Sequence, residues 1–302
     1  MIWAKLAVAA LAWLTAAPLP QPRTEVGAAV LRGQIVVVGG LTAEGVPSAR
    51  ADAFSAATGR WRRLPGLPVA VHHPLVASDG GRVYVAGGYG GRLGAGERLR
   101  TVFAFDGARW RALPRMPEPR AAGGAAGLDG RLYVAGGLNE AGLASRVFVF
   151  DPASRRWSSV KGPPTPRQHL GVAAAGHRLY VVGGRISTQL TNLGTAESYD
   201  PPTRRWRALP DLPTPRGGIA AAGTENGLVV AVGGEGSTST FPQVEAFDVE
   251  TGRWVRLPRL PTARHGLGVA AIGDVVYVID GGVIPGYSAS AANQAIDLSG
   301  VG

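Results

Sequence analysis

Arg23, Arg120, Arg167, Arg216 and Arg264 each close a Pro-x-x-Arg segment, and four of the five histidines, His72, His73, His169 and His265, fall in the same segments. Guanidinium groups present planar forks of N–H donors that match carboxylate or phosphate oxygens, so a set of them is a candidate anion site. Imidazoles beside carboxylates hold or move a proton near neutral pH. Glu25 takes the place of His73 and His169, two residues past the arginine position, while Glu235 and Arg185 each directly follow a Gly-Gly pair. The sixth segment departs from the pattern, with Val71 where arginine is expected. Candidate ligand-binding residues are therefore Arg23, Glu25, His73, Arg120, Arg167, His169, Arg185, Arg216, Glu235, Arg264 and His265, and the acid–base candidates are Glu235, His169 and Asp280.

Two roles are open for the arginines, contacts to a common ligand or structural residues tying adjacent segments of the fold together through backbone carbonyls. Asp280 stands where Val38, Ala86, Ala135, Val182 and Val232 stand in other repeats, a carboxylate in place of an apolar strand residue. If buried, it needs a partner or a raised pKa, in catalysis or as a hydrogen-bonded structural group. A metal site is not expected. The histidines lie on different connectors, no His-x-His or His-x3-His pair stands on one element, and adjacent His72 and His73 point to opposite faces of an extended strand. His177 belongs to a turn at the opposite mouth and receives no role.

Absences narrow the chemistry further. With no cysteine there is no disulfide framework, thiolate metal site or thiol nucleophile, and neither Gly-x-Ser-x-Gly nor Gly-x4-Gly-Lys occurs. The formal charge of +10 comes from 31 basic residues, of which only Lys5 and Lys161 are lysines. The arginines are spread over turns and edges, as at Arg155, Arg156, Arg204, Arg205 and Arg253, which reads as a solvated surface with no specific nucleic-acid site.

These residues are placed by a repeat. Glycine pairs at Gly39-Gly40, Gly87-Gly88, Gly136-Gly137, Gly183-Gly184, Gly233-Gly234 and Gly281-Gly282 are spaced 48, 49, 47, 50 and 48 residues apart. Between Arg120 and Trp157 the chain offers four short apolar segments bounded by Gly, Pro, Asp or Ser, which read as four antiparallel strands. Four such strands per repeat make a propeller blade. Small residues in the first strand, as in Ala173-Ala174-Ala175, fit where the innermost strands crowd the axis. With strands alternating in direction, the loop from the second to the third strand and the connector from the fourth strand to the next blade open on the same mouth.

The repeat resembles the Kelch repeat, whose pattern is a Tyr-Val-x-Gly-Gly strand, an Asp-Pro-x-Thr turn, a Trp, and Leu-Pro-x-(Leu/Met)-Pro-x-x-Arg. It is carried by Leu179 to Gly184, Asp200 to Trp206 and Leu209 to Arg216, and the resemblance covers residues 13 to 298. It implies an all-β, six-bladed propeller over residues 13–302, closed by pairing a strand around Trp13 with the C-terminal blade. Trp13 lies 48 residues before Trp61, and the Trp13-to-Arg23 spacing equals that of Trp110 to Arg120. The apolar run from Leu6 to Leu14 also reads as a signal segment over residues 1–12, with 17 as the alternative end, which implies export to the periplasm or outside the cell; a cytoplasmic protein is the alternative.

The resemblance implies a binding protein with no cofactor, a monomer without a transmembrane anchor, taking an acidic peptide or anionic glycan at the mouth. The alternative is a sialic acid mutarotase, since bacterial six-bladed Kelch proteins include periplasmic enzymes of that kind; there Glu235 or His169 would exchange the proton and Arg167 or Arg216 hold the sugar carboxylate. Galactose oxidase-like copper chemistry is excluded by the missing cysteine.

Overall fold

The structure is a computed structural model that describes residues 11–301; residues 1–10, most of the expected signal segment, lie outside the described residues. Six four-stranded antiparallel sheets surround a central channel. Their innermost strands are Gly27–Leu31, Leu75–Ser78, Gly124–Leu128, Gly171–Ala175, Ala220–Gly223 and Gly268–Ile272, which define blades one to six. The apolar core is divided into six layers, each between neighbouring blades. Crowding of the inner strands is steric fact: a Cβ on Gly124 would lie 2.5 Å from Val172 Cγ2 of the next blade.

Blade six borrows its outer strand from the N-terminus. Leu14 pairs with Ala295 and Thr15 with Gln294, and the ladder continues as Ala16 and Leu19 donate to the Asn293 and Ala291 carbonyls. Trp13 then behaves like every other repeat tryptophan. The indole N–H groups of Trp13, Trp61, Trp110, Trp157, Trp206 and Trp254 donate to the carbonyls of Pro258, Ala17, Pro65, Pro114, Lys161 and Pro210 at 2.8–2.9 Å. Each link joins one blade to the blade before it, and two of the six depend on residues 13–17. The tryptophan thus supplies both an apolar body and a satisfied polar tip.

The five connector arginines are clamps inside blades, which corrects both their reading as ligand contacts and their reading as ties between blades. All five are 0% exposed. Arg216 illustrates the geometry: its Nε donates to the Gly233 carbonyl at 2.7 Å and its NH1 to Thr214 O at 2.8 Å and Glu245 Oε2 at 2.5 Å. Arg167 does the same with the Gly183 carbonyl and Glu197, and Arg23 with the Gly39 carbonyl and Asp52. Each guanidinium fastens a connector to the blade it enters, satisfying carbonyls left open where the inner strands end. Its partner always stands at one register position of the third strand, opposite Val37, Val134, Val181, Ala231 or Val278 of the second. In blade six that residue is Gln294, reached at 2.7 Å, and in blade three it is Phe148, whose ring lies 4.7 Å from the Arg120 guanidinium carbon. Burial without a facing carboxylate lowers the pKa of Arg120 and Arg264 to about 10. Blade two lacks both members, having Val71 and Phe103.

Asp280 is also structural, and its register differs from expectation. Val38 pairs with Gly27 and Ile279 with Gly268, so Asp280 occupies the place of Gly39, the first residue of a glycine pair. Its φ of 68° matches Gly39, Gly87, Gly136, Gly183 and Gly233, which lie between 57° and 68°. Asp280 is 0% exposed, and its Oδ1 accepts from the backbone N–H of Arg23 and of Gly281, each at 2.9 Å. It therefore caps the seam where the N-terminal connector enters the ring. Burial pushes the carboxyl well above its ordinary range, against the pull of Arg23, those two peptide N–H groups and Arg264.

A raised carboxylate pKa contributes stability that is complete below the unfolded value near 4 and is lost as pH rises through the folded value. Asp280→Asn keeps an acceptor oxygen and tolerates the left-handed backbone. It is expected to be more stable than the parent at pH 7, with the difference closing as pH falls toward 4, measured by urea midpoints across pH. Equal midpoints at every pH would mean that the arginines fully balance this charge.

Candidate functional site

Two residues past each arginine position the backbone turns left-handed in every blade. The six residues are Glu25, His73, Ala122, His169, Gly218 and Gly266, with φ between 51° and 69°. Five head-to-tail hydrogen bonds link them around the axis: Glu25 N to Gly266 O, His73 N to Glu25 O, His169 N to Ala122 O, Gly218 N to His169 O, and Gly266 N to Gly218 O, at 2.6–3.0 Å. This belt forms the throat of a cavity of about 280 Å³ whose deeper wall is the small-residue inner strands. Three belt positions are Gly or Ala. The other three carry chemistry despite a left-handed backbone that costs such residues about 1–2 kcal/mol each.

Small belt residues make room for large ones. A Cβ on Gly266 would meet Glu25 Oε1 at 2.4 Å, so the Glu25 carboxylate lies across that glycine. Its Oε2 is 3.0 Å from His73 Nε2, and its Oε1 is 3.3 Å from His265 Nδ1. His73 in turn meets His72, Nδ1 to Nδ1 at 2.6 Å, and packs edge-on against His169 with ring centroids 5.1 Å apart. His72 stacks on Tyr89. Above the belt, Glu235 is held by Arg185 NH1 at 2.7 Å and by the Gly286 N–H at 2.7 Å, with His265 Nδ1 3.7 Å away. The adjacent histidines share one hydrogen bond, contrary to the opposite faces expected of an extended strand, because the left-handed turn at His73 breaks the alternation.

The protonation pattern follows from burial and neighbours. Burial tends to neutralise Glu25, but His73 and His265 outweigh it and hold the carboxyl well below its usual range. Burial also opposes the imidazolium of His265, yet Glu25, Glu235 and the Ile284 carbonyl together push its pKa up. His169 is driven the other way, well below its ordinary value, by burial and by Arg185 and His73. For His72, burial and the neighbouring His73 bring the pKa to about 4. One cluster thus contains a charged carboxylate, a histidine favouring the cation and histidines favouring the neutral ring.

Of the expected site residues, the structure brings together Glu25, His73, His169, Arg185, Glu235 and His265, and it removes Arg23, Arg120, Arg167, Arg216, Arg264 and Asp280 to the blade interiors. It adds His72, Gln168 and Asn192. Asn192 donates to the Glu235 carbonyl at 2.7 Å and accepts from Gly217, while Gln168 Oε1 is 3.0 Å from His169 Nδ1. Gln168 had a legible signal, since it shares with His72 and His265 the position one past the arginine. Around the mouth, Leu93, Ile186, Leu190, Val283 and Ile284 are exposed on loops joining second to third strands; among the described residues only three other large apolar side chains are exposed.

Comparison with known proteins agrees with this architecture. A family model described as the KLHDC2/KLHL20/DRC7 Kelch-repeats domain matches residues 113–282, and the Kelch motif matches residues 22–68 and 70–117. No curated protein gives a significant match. Among solved structures, one described as "Structure of YjhT" aligns with a TM-score of 0.78 at 17% identity, covering 93% of this chain and 99% of that chain. At that identity the likeness is one of fold.

Proposed function

This chain belongs to the Kelch-repeat family, whose propellers serve in binding, and from that premise we propose that it binds an acidic peptide segment or anionic glycan at the belt mouth. The observation that carries the reading is the convergence of Glu25, His73, His169, Arg185, Glu235 and His265 from five blades beneath an apolar rim. A polar floor under apolar walls is the general form of a ligand site. Glu235 already engages Arg185, so an incoming carboxylate exchanges with Glu235 for the guanidinium. The rim packs against the ligand's apolar faces. Export remains part of the proposal; a signal cut after Ala17 would remove the closing strand, so the mature chain begins at or before Trp13.

A second reading is favoured by the carboxylate–imidazole contacts, which are acid–base pairs within reach of one cavity. It is a sugar mutarotase in which Glu235 or His169 exchanges the proton at an acidic sugar; with Arg167 and Arg216 buried, Arg185 is left to hold the carboxylate.

The test is a thermal-shift screen in chelator against sialic acids, uronic acids, phosphosugars and acidic peptides, with Arg185→Gln as control. Binding to the native state raises the melting temperature by mass action. A shift of several degrees that Arg185→Gln removes is expected. Silence across the panel, or shifts indifferent to Arg185, would reject this mouth as the anion site. Any sugar that binds is then followed by NMR for anomer exchange, and exchange abolished by Glu235→Gln would move the protein to the second reading.

A further inference from the structure

We propose that Glu25, His73 and His169 form a binding site for a divalent first-row transition metal of the zinc class at the axis of the propeller. One ligand atom from each residue lies within 4.8 Å of the other two, and all three side chains project from the same hydrogen-bonded belt. A sequence search for metal pairs on one element misses such a set, because its members stand on connectors 48 and 96 residues apart. The belt brings them together.

The donor chemistry selects the ion. Two imidazoles and one carboxylate suit zinc, iron or cobalt, whereas calcium and magnesium prefer oxygen alone. Bonds of about 2.0–2.1 Å place neighbouring ligand atoms roughly 2.8–3.4 Å apart in octahedral or tetrahedral shells. The Glu25 Oε2 to His73 Nε2 separation of 3.0 Å already meets this, and a small inward swing of His169 completes the triad. Three protein ligands leave the remaining positions open toward the channel.

The groups behind the ligands fit the same role. A metal-bound imidazole usually donates its other N–H to an acceptor, which fixes the tautomer and the ring's orientation. His169 Nδ1 faces Gln168 Oε1 at 3.0 Å, which leaves Nε2 as its ligand atom. His73 Nδ1 faces His72 Nδ1 at 2.6 Å, and when His73 is the donor its Nε2 carries a free lone pair. Three non-glycine residues held in a left-handed backbone, at positions where other blades use Gly or Ala, are retained strain of the kind that collects at functional sites.

This proposal stands apart from anion binding at the mouth, because it is tested without any organic ligand. Untagged full-length protein, stripped with chelator and dialysed, is titrated with Zn²⁺ by calorimetry and with Co²⁺ by visible absorption. One equivalent of each ion and cobalt bands in the visible are expected, with a higher melting temperature in Zn²⁺. His169→Gly should abolish the cobalt spectrum while remaining folded, since Gly218 and Gly266 occupy the same belt position with the same backbone sign. Gln168→Leu, which touches no ion, should weaken affinity by about 10- to 100-fold through loss of the supporting hydrogen bond. Binding of less than one equivalent, or Zn²⁺ binding unchanged in His169→Gly, would overturn the site and leave Glu25 and His73 as an ion pair of the belt.

Discussion

Replacing Arg216 with methionine should destabilise the propeller by about 3–5 kcal/mol, the usual result of leaving one member of a buried ion pair without its partner. Glu245, 1% exposed, would lose a guanidinium 2.5 Å away, and the carbonyls of Thr214 and Gly233 would lose their donor. The informative variant is the double one. Blade two has Val71 and Phe103 at the positions of Arg216 and Glu245, so this chain already contains an apolar version of the clamp. Arg216→Val with Glu245→Phe should therefore recover about 2 kcal/mol relative to Arg216→Met, since a well-packed apolar replacement avoids the unpaired buried charge. Urea denaturation midpoints measure both. A double variant as damaged as the single one would mean that the carbonyl contacts, and not the ion pair, are what the clamp supplies. Arg120 predicts the opposite sensitivity: facing Phe148 with no carboxylate beside it, it should tolerate neutral replacement better than Arg216.

Removing residues 13–17 should lower the stability of the whole fold by at least about 3 kcal/mol, the scale of losing one large aromatic anchor. The deletion takes away the outer strand of blade six, the Trp13 indole bond to Pro258, and the Ala17 carbonyl that receives both Trp61 Nε1 and Asn293 Nδ2. It also exposes an unpaired strand edge at Asn293–Asp297, a template for association. Trp13→Ala tests the anchor alone and should account for much of the loss. Thermal melts together with light scattering provide the check: an unchanged melting temperature without association would show that the ring closes on inner strands and needs no outer seam.

The fold was legible because its signals are repeated. Glycine pairs, tryptophans and Pro-x-x-Arg segments recur with one period, and each copy corroborates the others. Trp13 was recognisable as a blade residue for the same reason. The site was harder to read. The arginines looked like a ligand ring because their mouth location is correct, but sequence gives no burial, and what hides them is a partner 28 to 30 residues later: Asp52, Phe148, Glu197, Glu245 or Gln294. That correlation can be read from the repeats once the third strands are aligned, since the one blade without arginine is also one with phenylalanine. The chain reads Asp-Gly-Gly at 280–282, and aligning its two glycines with the pairs of the other repeats puts Asp280 one residue out of register. Backbone sign, not residue identity, sets that register. The belt itself was invisible, for a left-handed turn at Glu25, His73 and His169 contradicts the preference of those residues.

The belt gives the propeller a modular chemistry. Its six positions are carried by six blades and joined by five backbone hydrogen bonds, so the side chains they present are set position by position. Gly218 and Gly266 are closed to new groups, because Glu235 and Glu25 already fill the space a Cβ would need. Ala122 already carries its Cβ on the left-handed backbone and lines the cavity, between His73 and His169 around the throat. A histidine or aspartate installed there would face the same axis, and natural variation among close homologues should concentrate at that position before it reaches the strands that support it.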